Sequence, residues 1–153
     1  MTKKHQEPIH TWLIMLKSLQ AVSKYILPPI LEEGVGDSDF RVLEVLLHKG
    51  PMPVNTIGPK VNLNPGSVSV AVDRLYKKGL VSRVESTCDR RVRTVSITDK
   101  GRKFFCPIFQ RHAALIKRVF EETSANERDQ LEATLKKIGM HAQSLAESEA
   151  VSE

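Results

Sequence analysis

Asn64-Pro65-Gly66-Ser67-Val68-Ser69-Val70-Ala71-Val72-Asp73-Arg74-Leu75-Tyr76-Lys77-Lys78-Gly79 is the stretch on which the reading of the fold turns. Val68, Val72 and Leu75 stand at i, i+4 and i+7, so they share one helical face and point to a core. Ser67, Ser69, Val70, Asp73 and Arg74 lie largely away from it. Asn64 suits an N-cap, Pro65 a first helical position and Gly79 a stop. Because Gly66, Ser67 and Ser69 are small, this end of the helix can approach another surface closely.

On the C-terminal side, Leu80 to Val84 and Arg93 to Ile97 alternate as half-buried strands do, and the turn-rich residues 85–92 join them. On the N-terminal side, Ser38 or Asp37 is placed to cap a helix carrying Phe40, Val42, Leu43, Val45, Leu46 and Leu47, which Gly50-Pro51 stops. A short helix fits Val54 to Val61, with Ile57 and Val61 inward. Two helices, a third with a small polar face, then a basic hairpin are the parts of a winged helix-turn-helix. The expected unit spans residues 37–101.

Long helices flank that unit. Ile9, Trp12, Leu13, Leu16, Leu19, Val22, Ile26 and Ile30 recur at three- and four-residue steps from Pro8, until Pro28-Pro29 bends or ends the helix. Phe104, Phe105, Ile108, Phe109, His112, Leu115, Ile116, Val119 and Phe120 make a second apolar face, with Thr98 as its cap. Ser124 followed by Glu127 is a capping box, and Leu131, Leu135, Ile138, Ala142 and Leu145 continue as a heptad seam. The acidic tail from Ala146 should fray. The fold class is mainly α with a small β-hairpin, in one domain whose arms are residues 8–33 and 102–147. An unpaired stripe on the first helix is a poor state for a soluble monomer, so the arms should make a homodimer.

The net charge of +5 is unevenly placed. Residues 53–103 hold 11 Lys/Arg against 4 Asp/Glu, whereas the rest of the chain holds 12 against 14. A basic segment coinciding with a helix and hairpin is the electrostatic footprint of a double-stranded DNA contact. From charge alone, a solvated surface would be the plainer reading. No apolar run reaches the roughly 18–20 residues of a membrane span, and the start lacks an apolar signal core, so a cytoplasmic protein is expected. Cys88 and Cys106 suggest no disulfide framework. No phosphate loop, His-Glu-x-x-His or Gly-x-Ser-x-Gly is present, which argues against an enzyme. The five histidines show no metal spacing, so no metal or cofactor is expected.

The run Leu75-Tyr76-Lys77-Lys78-Gly79-Leu80-Val81-Ser82-Arg83, then Asp89-Arg90-Arg91, then Ser96-Ile97-Thr98-Asp99-Lys100-Gly101, resembles the MarR family (multiple antibiotic resistance regulators). The match is densest from about Phe40 to Gly101, and the arms agree in length and character. The resemblance implies a homodimeric repressor that binds a palindromic operator and is released by a small molecule or oxidant. It places the helix from Asn64 in the major groove, where Asn64, Pro65, Gly66, Ser67, Ser69, Val70 and Arg74 would meet bases and phosphates. Serine hydroxyls fit several base edges, and Val70 suits a thymine methyl. Arg90, Arg91 and Arg93 on the hairpin would enter the minor groove, whose width an arginine reads. Asp89 would orient Arg91 or brace the wing. The plainer readings are an ion pair for Asp89 and Arg91, and simple solvation for Ser67 and Ser69.

The effector is less legible. Trp12, Leu16, Tyr25, Phe40, His48 and Phe105 could line a pocket for a phenolic or other aromatic ligand between the arms and the DNA-binding unit, or be ordinary core. Cys88 has arginine neighbours that favour the reactive thiolate, so an electrophile or oxidant could act there; otherwise it is a surface cysteine with no role. Residues 47–58 also resemble a branch that includes quinone- and electrophile-responsive members. The first helix has Tyr25 but lacks the cysteine of the family's hydroperoxide sensors. Cys106 reads as a small core residue. A non-specific architectural DNA-binding protein is the alternative outside regulation.

Overall fold

A computed structural model describes residues 8–85 and 93–150. Its elements are α1 (Pro8–Ile26), α2 (Pro28–Leu31), α3 (Asp37–Lys49), β1 (Met52–Pro53), α4 (Val54–Val61), α5 (Pro65–Lys77), β2 (Val81–Glu85), β3 (Arg93–Ile97), α6 (Asp99–Val119) and α7 (Ala125–Ala150). The chain divides into two compact units, residues 1–116 and 117–153.

In the first unit, α3, α4 and α5 pack around one apolar core closed by a small sheet. Phe40, Leu43 and Leu46 of α3, Ile57 of α4, and Val68, Val72 and Leu75 of α5 are buried there with Val81, Val95 and Phe105. Burying such side chains contributes about 1.5–3 kcal/mol each. The sheet runs β1-β3-β2, antiparallel throughout, with Met52 opposite Val95, Val81 opposite Ile97 and Glu85 opposite Arg93. Arg41 of α3 pairs with Asp37 and donates to the Val61 carbonyl at the end of α4, where Asn62 turns the chain in a left-handed conformation.

The junction between α5, the hairpin and α6 is the tightest in the unit. Gly79 has a φ of +70°, and the Leu80 amide donates back to the Leu75 carbonyl, which closes the helix. Leu80 therefore belongs to that closure, and β2 starts one residue later than its alternation suggests. The Thr98 hydroxyl donates to the Gly79 carbonyl and accepts from the Gly101 amide, capping α6 as expected. Gly101 lies so close to Leu80 that a Cβ would stand 2.0 Å from the Leu80 carbonyl oxygen and 2.9 Å from Ile97. The glycines at 79 and 101 are thus two halves of one lock.

Other expectations need correction. Neither Ser38 nor Asp37 caps α3: Gly36 occupies the cap position without a side-chain bond, while Asp37 is inside the helix and pairs with Arg41. The strand β1 was not expected, because two residues carry no alternation. The tail from Ala146 does not fray at once, since α7 continues to Ala150. Cys106 is half-buried and is not a core residue.

In the second unit, the Ser124 amide donates to Glu127 Oε2 at 2.8 Å and the Glu127 amide to Ser124 Oγ at 3.3 Å, forming the capping box. The Ser124 amide, with its hydroxyl, draws the Glu127 carboxyl below its ordinary range. Neither α1 nor α7 buries a single residue in this chain. Trp12, Leu16 and Leu19 on the one, and Leu131, Leu135, Ile138 and Leu145 on the other, are exposed.

Gly101→Ala is expected to lower stability by about 1–3 kcal/mol or more, because the backbone of Leu80 cannot yield to the added methyl. Thermal unfolding followed by circular dichroism checks it; an unchanged midpoint would contradict the packing of this junction.

Candidate nucleic-acid interface

The sequence places α5 on the surface by one face only. Asn64 Oδ1 accepts from the Ser67 amide at 2.8 Å, and Pro65 occupies the first turn. From this cap, Pro65, Gly66, Ser69, Val70 and Asp73 are exposed, while Ser67 is half-buried. Val70 is 57% exposed. A groove of about 800 Å³ runs between α4, α5 and the hairpin, and Asn55, Ser69, Asp73, Arg83 and Arg93 are among its lining residues. Hydroxyl, amide and guanidinium groups and the Asp73 carboxylate stand there among apolar walls that include Leu63, Val68 and Val72; the first three suit phosphates and base edges.

Arg74 has another task. Its Nε donates to both carboxylate oxygens of Asp39, at 3.1 and 2.9 Å, and Nη2 reaches Oδ1 at 2.6 Å and Ser38 Oγ at 3.3 Å. Asp39 is 2% exposed, the buried charged residue of this core. The hydrogen bond to Asp39 holds the guanidinium above its ordinary pKa. Arg74 therefore fastens α5 to α3, with part of its side chain still facing outward. Sequence reasoning missed Asp39, although an acid among the apolar positions of α3 was the available signal.

Arg93 is exposed at the hairpin and lies 3.6 Å from Glu85 across the strand pair. Cys88, Asp89, Arg90 and Arg91 lie outside the described residues. Arg83, which the sequence reading left aside, is ion-paired to Asp73 of α5, and its guanidinium carbon sits 4.6 Å from the centre of the Tyr76 ring.

The six residues considered for an effector pocket separate into two groups. Phe40 and Phe105 are edge-to-face at 5.0 Å, Phe40 meets His112 at 4.7 Å, and His48 meets Phe109 at 4.7 Å, so three of the six join one aromatic cluster between α3 and α6. Trp12, Leu16 and Tyr25 sit on the exposed α1. The His112 Nδ1 is buried without a hydrogen-bond partner, and burial lowers the ring's pKa against the opposing pull of Glu44. Among the described residues no acid, histidine and cysteine cluster could hold a metal ion, and no helix is long and apolar enough to cross a membrane.

Comparison with known proteins agrees with this geometry. A model described as the MarR family matches residues 37–92. The chain is 31% identical over 140 residues to the HTH-type transcriptional regulator YkoM of Bacillus subtilis, covering 92% of this chain and 91% of that one. It is 32% identical over 137 residues to the HTH-type transcriptional regulator MhqR of the same organism, covering 90% and 94%. In fold it is similar to AbsC, a MarR family transcriptional regulator from Streptomyces coelicolor, with a TM-score of 0.81, 19% identity and coverage of 94% and 97%.

Arg74→Ala leaves Asp39 buried and unpaired, and is expected to cost about 3 kcal/mol, somewhat less than a fully buried pair. Urea unfolding measures it, and a cost below about 0.5 kcal/mol would mean that the pair is only a surface contact. For His112, the folded ring takes a proton less readily than the unfolded one, so its contribution is complete above about pH 6.5 and declines as pH falls below that value. The drop in melting temperature between about pH 8 and pH 5.5 should therefore shrink in His112→Phe. An equal drop in both proteins would refute this role for the ring.

Proposed function

The chain belongs to the MarR family of transcriptional regulators, and from that premise we propose that it is a homodimeric repressor whose α5 reads a palindromic operator. The observation that carries this reading is the groove between α4, α5 and the hairpin, where Ser69, Asp73, Arg83 and Arg93 stand beside the apolar wall made by Leu63, Val68 and Val72. In this reading residues 37–101 bind DNA and the arms, residues 8–33 and 102–147, hold the dimer. The exposed apolar faces of α1 and of α7 support the dimer, since a second copy would remove them from water. A two-fold dimer presents two copies of α5 to half-sites about one helical turn apart.

Asn64, Pro65, Gly66, Ser67, Ser69 and Val70 form the reading end of the helix, and Arg90, Arg91 and Arg93 supply the wing's contacts to the backbone and minor groove, with Asp89 bracing Arg91. Arg74 acts by positioning α5 through Asp39. A small aromatic or phenolic effector, or an electrophile, releases the operator. The cluster of Phe40, Phe105 and His48 favours the aromatic class. An effect through Cys88 is the second form of release, and it predicts that Cys88→Ser abolishes the response to oxidant.

The test is a titration against DNA from upstream of the protein's own gene and against scrambled DNA, on a sample whose mass is measured in parallel. Operator affinity should exceed scrambled affinity by ~10³-fold or more and fall steeply with salt. Ser69→Ala should lose about 1–3 kcal/mol of discrimination, whereas Arg93→Ala should weaken both duplexes alike and reduce the salt slope by about one. Equal affinity for the two duplexes, confirmed by random-sequence selection, would replace the repressor with an architectural protein.

A further inference from the structure

We propose that Arg83 masks the Asp73 carboxylate, so that a negative charge carried by the reading helix does not repel DNA. The inference rests on α5 being the helix that meets DNA. Val81 and Arg83 stand on the same face of β2, opposite Ile97 and Val95, both buried. Val84, on the other face, is 62% exposed. Arg83 therefore occupies an inward position that the strand's alternation reserves for an apolar side chain. Its Nε is buried and has no hydrogen-bond partner, and only a fifth of its side chain is exposed. A guanidinium is held so only where it finds a counter-charge, and here that is Asp73, with the Tyr76 ring beneath.

Asp73 is the group that needs the arrangement. It lies one turn beyond Ser69 on α5, lines the same groove and remains more than half exposed. An unpaired carboxylate there would stand within a Debye length, about 8 Å, of any phosphate seated in the groove. Tyr76, three residues along the helix, gives the guanidinium a flat surface, and Arg83 pairs with Asp73 at the wall of the groove that both residues line. Arg83 thus acts through Asp73 and is a positioning residue.

The test uses the full chain, a random 30-base-pair duplex and the selected operator, at low salt, with folding of each variant verified by its melting curve. Arg83→Ala should weaken both duplexes about tenfold, and Asp73→Asn should strengthen both about threefold. Asp73→Asn combined with Arg83→Ala should return to within about threefold of the unmodified protein, since no charge is left to mask. Arg83→Lys should retain most of the affinity. If the combined variant stays as weak as Arg83→Ala, then Arg83 contacts DNA itself and the proposal falls. If neither single change moves DNA affinity, its role is structural alone, and the proposal falls again. An unmodified protein that binds neither duplex overturns the placement of α5 on DNA as well.

Discussion

A buried carboxylate fixes α5 in place. Asp39 is almost without solvent, and the Arg74 fork answers it with three hydrogen-bond contacts. Asp39 could not be buried alone, because an unpaired charge in a core costs several kcal/mol. The apolar contacts of α5 with α3 favour burial but tolerate sliding and rotation. The planar guanidinium does not, so the pair supplies direction where packing supplies adhesion. The exposed face of α5, from Asn64 to Asp73, takes its orientation from this constraint.

The second constraint sits at the other end of α5. Gly79 turns the chain, Thr98 bonds to its carbonyl, and Gly101 admits the Leu80 backbone at a distance no side chain would allow. Gly79 stands 19 positions before Thr98 in sequence, yet the two meet at one point with Gly101. The root of the hairpin is consequently fixed to both α5 and α6. Arg83 adds a lateral contact from β2 to α5 through Asp73 and Tyr76. Helix and hairpin then form the two walls of one groove.

The arms follow a different logic. Capping is complete at the start of α7, through Ser124 and Glu127, but Leu131, Leu135, Ile138 and Leu145 of the apolar seam that follows stay exposed among the described residues. The same is true of the N-terminal part of the stripe on α1, from Ile9 to Leu19. Well-formed helices with unsatisfied faces are the expected property of a subunit whose core is completed by another copy.

Much of the architecture was legible from local rules. Period and caps marked α1, α4, α5, α6 and α7, the Asn64 cap was correct, and glycine positions marked the ends of α3 and α5. Motif spacing carried the family. What local rules could not reach were interactions between residues far apart in the chain. Arg74 stands outward by its helical phase, and no local rule shows that it also folds back onto Asp39, 35 positions earlier. Arg83 stood in the sequence only as the last residue of a family motif, although its face of the sheet turns inward. The strand β1 exists only because β3 offers it an edge. Sequence alone determined which faces are apolar, where elements stop and which family pattern the chain carries, because those depend on neighbours within a turn or two. The tertiary structure decided which charges are paired and which stay free to meet DNA, because a charge takes the partner that burial brings to it.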